Sequence, residues 1–90
     1  MDEVTSLPTV LGAYLADLRL SWYAVWKPLR KAKQEGRAVE VRHQIMIFGY
    51  DPKTELFEVA TEFGEIENAF LNEQNFIREV GKHTRGAPEC

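Results

Sequence analysis

The chain has 90 residues, enough for one domain with a single core and too few for a deep substrate cavity besides. Hydrophobic residues make up 44% and charged residues 28%, which excludes wholesale disorder, and the one cysteine, Cys90, excludes an internal disulfide or a cysteine-based metal site. The net charge is −3, the opening MDEVTSLPTV lacks the basic start of a signal peptide, and the apolar tracts are short for a membrane span, so the expected setting is cytoplasmic with no membrane contact.

The charge is unevenly placed. From Lys27 to Arg42 there are six basic residues and two acidic ones; from Asp51 to Val80 there are eight acidic residues and two basic ones. Such a two-ended molecule invites statements about partners and self-association, not about fold.

Residues 1–8 read as a flexible arm, 9–82 as a single α+β domain and 83–90 as a flexible tail. Ser6 and Pro8 suit the opening of a helix. Leu11, Leu15, Leu18, Trp22, Val25 and Leu29 then recur at spacings of four, three, four, three and four, the signature of one buried helical face. The spacing predicts a helix over 9–26, broken or kinked by Pro28, with a short basic helix over 29–34 ending at Gly36. Trp22 belongs to the core and Trp26 widens the stripe. Leu20 falls nearly opposite the stripe and Tyr23 well off it, so the helix is apolar on two sides and has a face to spare.

Residues 38–50 read as a strand, alternating in its first half and apolar on both faces over Ile45-Met46-Ile47-Phe48. Asp51-Pro52-Lys53-Thr54 has the chemistry of a type I turn. Residues 56–63 return as a second strand with Phe57, Val59, Thr61 and Phe63 on one face, making a hairpin. A second helix is predicted over 65–80, with a bend or break near Leu71–Asn75 and a stop at Gly81. A two-stranded hairpin is marginal alone, so pairing with a second copy is expected to complete the sheet.

Chemistry-bearing motifs are lacking. Neither HExxH, CxxC, an EF-hand loop nor a phosphate loop occurs, so no metal and no cofactor is expected. A catalytic reading would need His43 as a general base with Glu40 or Glu58; a structural strand histidine is the preferred reading, and the chain is expected not to be an enzyme. The acidic set Glu55, Glu58, Glu62, Glu65 and Glu67 reads as a solvated face.

Two features remain. Tyr23, with Leu20 and Arg19 beside it, has the composition of a protein interface. Lys27, Arg30, Lys31, Lys33, Arg37 and Arg42 form a basic segment suited to an acidic protein, the acidic half of a second copy, or nucleic-acid phosphates. The expectation is a homodimeric protein-interaction module, an adaptor or inhibitor of a larger protein of unknown identity. Nucleic-acid binding through Lys27–Arg42 is the alternative. Small non-catalytic domains are frequent among phage and mobile-element products, a prior on origin only.

Overall fold

The computed structural model describes residues 7–88. Residues 1–6 of the expected arm and Cys90 lie outside the described residues. Three helices and four strands follow in the order α1 (Thr9–Leu18), α2 (Trp22–Glu35), β1 (Val39–His43), β2 (Met46–Asp51), β3 (Leu56–Thr61), β4 (Ala69–Leu71) and α3 (Glu73–Gly81). The strands form an antiparallel sheet in the order β1-β2-β3-β4. The fold is α+β, as expected.

Helix α1 ends earlier than the apolar spacing predicts. Arg19 adopts a left-handed conformation (φ 53°) and its N–H bonds back to the Leu15 carbonyl. Helix α2 then starts at Trp22 and runs through Pro28 without interruption. The break thus lies at Arg19–Ser21 and not at Pro28. The linker is three residues long, nearly one helical turn, so the stripe keeps its phase while the chain changes direction. Leu20 is carried into this linker and packs half-buried against the core, so it is not the spare apolar anchor on an outer helix face.

The segment 83–88, expected as tail, is pinned to that linker. Arg85 N–H donates to the Leu20 carbonyl and the Arg85 carbonyl accepts from Trp22 N–H, both at 2.8 Å. The Arg85 guanidinium donates to the Arg19 carbonyl at 3.0 Å, and Ala87 packs against the core. These bonds satisfy backbone groups that the helix break leaves without intrahelical partners.

The expected strand over 38–50 is two strands. Gln44 (φ 56°) and Ile45 form a two-residue turn, and His43 pairs with Met46. A positive φ at the first turn position is usually taken by glycine, and no glycine marked this turn. The hairpin of β2 and β3 is present, closed by Asp51, whose carboxylate accepts from Lys53 N–H at 2.9 Å. Phe63 lies beyond the end of β3 and is exposed.

The expected helix over 65–80 is also divided. Ala69–Leu71 pairs with β3 as an edge strand, and Asn72 caps α3 by accepting from Asn75 N–H at 2.9 Å. Four strands therefore arise within the described residues of one chain, where a two-stranded hairpin was expected.

All three helices lie on one face of the sheet. The register places Val39, Val41, His43, Met46, Phe48, Tyr50, Phe57, Val59, Thr61, Ala69 and Leu71 on that face. Trp22 and Trp26 of α2 stack at 5.4 Å, Trp26 meets Phe57 at 5.4 Å and Phe76 at 5.8 Å, and Phe57 meets Phe76 at 5.1 Å. Phe48, Phe57 and Phe76 are fully buried, each contributing roughly 1.5–3 kcal/mol. The other face carries Glu40, Arg42, Ile47, Gly49, Leu56, Glu58, Ala60 and Phe70, and among the described residues no helix covers it.

Pro28 has no N–H to offer the Ala24 carbonyl, a loss offset by the buried face Trp22, Val25, Leu29 and Ala32. Pro28→Ala is therefore expected to stabilise the protein by about 1–2 kcal/mol, after allowing for the freer unfolded chain. Thermal melting reads this directly, and an unchanged or lower melting temperature would show that the proline is not a burden on α2.

Candidate binding surface

The buried face of α2 fixes which residues look outward. At 100° per residue, Tyr23, Lys27, Arg30 and Gln34 stand about half a turn from Val25, Leu29 and Ala32. Together with Lys31, Glu35 and Trp26 they line a shallow groove of about 390 Å³ along the helix. Tyr23 is 66% exposed, and the Lys27 ammonium sits 5.4 Å from its ring centroid. Trp26 is half-buried: its ring is held by Phe57 and Phe76.

The six residues of the basic segment do not act as one patch. Lys33 pairs with Glu73 at the start of α3, and Arg37 pairs with Glu35 at 2.6 Å. That hydrogen bond from Arg37 holds the Glu35 carboxyl below its ordinary value, with Lys31 adding to the effect. Arg42 lies on the opposite, open face of the sheet and pairs with Glu62 at 2.8 Å. Lys27, Arg30 and Lys31 remain, with no salt bridge among the described residues. Exposed pairs such as these contribute little stability, but they decide which cations stay available.

Of the expected interface residues, Tyr23 belongs to this surface. Arg19 is exposed at the helix break and its carbonyl accepts from Arg85; Leu20 faces the core. Trp26 both widens the buried stripe and lines the groove, because it lies at the margin of that stripe.

The catalytic arrangement does not form. His43 lies on the helix-covered face, edge-on to Phe48 at 5.9 Å, with Nε2 buried and unpartnered among the described residues. Glu40 and Glu58 point to the open face, so the sheet separates them from His43. The second histidine, His83, packs against Gly12, where a Cβ would lie 2.9 Å from its Nε2. Among the described residues no group of three or more His, Cys, Asp or Glu is placed to hold a metal. No helix among them is long and apolar enough to cross a membrane.

Burial raises the pKa of the Tyr50 hydroxyl above its ordinary value of 10.0, and the Glu55 and Asp51 carboxylates raise it further. The folded state thus holds this proton more tightly than the unfolded chain. Its contribution is complete below about pH 10 and is lost as pH rises through the raised value. Melting curves above pH 10 should fall more steeply for the native sequence than for Tyr50→Phe; parallel curves would contradict the assignment.

Comparison with known proteins finds no matching family, no matching curated protein and no matching solved structure. The reading of this surface rests on its own chemistry.

Proposed function

We propose that the protein is a small non-catalytic interaction module, an adaptor or inhibitor that uses the outer ridge of α2 to hold an acidic surface of a protein partner. The observation that carries this reading is the set Lys27, Arg30 and Lys31, without salt bridges among the described residues and standing beside an exposed Tyr23. Tyrosine, tryptophan and arginine dominate interface energetics when gathered in one patch, and this ridge gathers all three. Unpaired cations add steering and selectivity for an acidic partner. The working compartment on this reading is the cytoplasm, which suits a chain with a single cysteine.

A second reading is supported by the same aromatic group. Tyr23 offers a free ring face on which a base of single-stranded nucleic acid would stack, with Lys27, Arg30 and Lys31 meeting phosphates. The net charge of −3 and the acidic open sheet face weigh against a polyanion of that length.

Trp26 provides the readout, because its edge opens into the groove. A glutamate-rich peptide and a single-stranded oligothymidine of equal charge are titrated at low salt while tryptophan fluorescence is followed. The peptide is expected to perturb the emission, and Lys27→Glu with Arg30→Glu to abolish the response. A stronger response to the oligonucleotide would bring the second reading forward. Silence with both probes would remove the ridge as a contact surface.

A further inference from the structure

The open face of the sheet bears a second concavity, of about 470 Å³, centred on Gly49. Gly49 forms its floor: a Cβ there would lie 3.4 Å from both Glu58 Oε1 and the Val39 carbonyl, so the absence of a side chain keeps the floor low. Leu56 and Phe70, the latter 41% exposed, supply apolar walls. Glu40, Asp51 and Glu58 line it, and no basic residue does. Asn68 donates to Glu58 Oε2 and holds that carboxylate in place.

We infer that this groove receives the α2 ridge of a second copy of the chain. The inference rests on the reading of that ridge as a contact surface and names its partner. Both halves of the complementarity are present in one molecule: three cations without salt bridges around an exposed tyrosine on α2, and three carboxylates around apolar walls on the sheet. The dimensions agree. From Tyr23 to Lys31 the helix rises about 12 Å. Crossing from β1 to β4 covers three inter-strand gaps, about 14 Å. The helix would lie across the strands, with Tyr23 against Leu56 and Phe70 and with Lys27 and Arg30 reaching the carboxylates.

The geometry also sets the symmetry. The ridge and the groove lie on opposite faces of a two-layer fold, because α2 packs its inner side on the covered face of the sheet. A two-fold axis cannot join them, so the contact is heterologous, head to tail, and each docked pair keeps one free ridge at one end and one free groove at the other. Self-association on this geometry gives a concentration-dependent series, and binding of an acidic partner to the ridge competes with it.

Sedimentation of the whole chain tests this. At about 0.02 M salt, where charges are weakly screened, the average mass should exceed 10.4 kDa and rise with concentration; at about 0.5 M salt it should return to 10.4 kDa. Glu40→Lys with Glu58→Lys should be monomeric at low salt, and so should Lys27→Glu with Arg30→Glu. Mixing the two variants should restore association, since each supplies the surface the other lacks. Glu40→Lys alone, at an exposed position, guards against misfolding of the double variant. A groove variant that associates like the native chain overturns docking in the groove and leaves the ridge reading intact. A ridge variant that still associates overturns docking through the ridge, and the peptide titration then decides the ridge reading on its own. A native chain that stays at 10.4 kDa in low salt overturns the self-docking alone, since the peptide titration tests the ridge separately.

Discussion

The fold depends on one aromatic junction. Trp22 and Trp26 of α2, Phe57 of β3 and Phe76 of α3 meet at centroid distances of 5.1–5.9 Å, and Phe48 and Tyr50 extend the cluster along β2. A small domain has little surface to bury, and aromatic side chains supply the most area per residue. The junction ties α2 and α3 to the two central strands. It therefore fixes the rotation of α2 about its own axis, and with it which residues that helix shows to solvent.

From that constraint the two outer surfaces follow. With Trp22, Val25, Leu29 and Ala32 turned inward, Tyr23, Lys27, Arg30 and Lys31 must face away from the sheet. With all three helices on one side, the other side of the sheet is left to Glu40, Glu58, Leu56 and Phe70. The charge asymmetry of the sequence is thus converted into a polarity across the thickness of the fold. Ion pairs refine it. Lys33, Arg37 and Arg42 are neutralised by Glu73, Glu35 and Glu62, which narrows the basic segment to three residues on one helix.

The core was legible because burial leaves a period in the sequence. The stripe from Leu11 to Leu29 and the alternation through Phe57, Val59 and Thr61 both appear where they were expected. The breaks were not legible where they left no punctuation. Arg19, Gln44 and Glu55 adopt positive φ without being glycine, so the end of α1 and the β1–β2 turn carried no turn residue to read. Pro28 gave a break signal that tertiary packing of α2 overrode. Strand β4 was too short, at three residues, to show its alternation beside Phe70. For the surfaces, Tyr23 and the basic segment could be found by composition, whereas the groove at Gly49 could not, because its walls come from strands far apart in the chain. The separation of His43 from Glu40 follows from strand alternation alone, since residues of odd separation on one strand face opposite ways, whereas that of Glu58 on β3 also needs the strand register.

The central claim is that the α2 ridge and the Gly49 groove are two halves of one contact between copies. Amide chemical shifts recorded on dilution at low salt test it most directly, because they report both surfaces at once. The account predicts that residues Tyr23–Lys31 and the strand residues around Gly49, Leu56 and Glu58 shift together, with a common concentration dependence, and that added salt reverses both sets. Shifts confined to one of the two surfaces, or centred on a third, would contradict it.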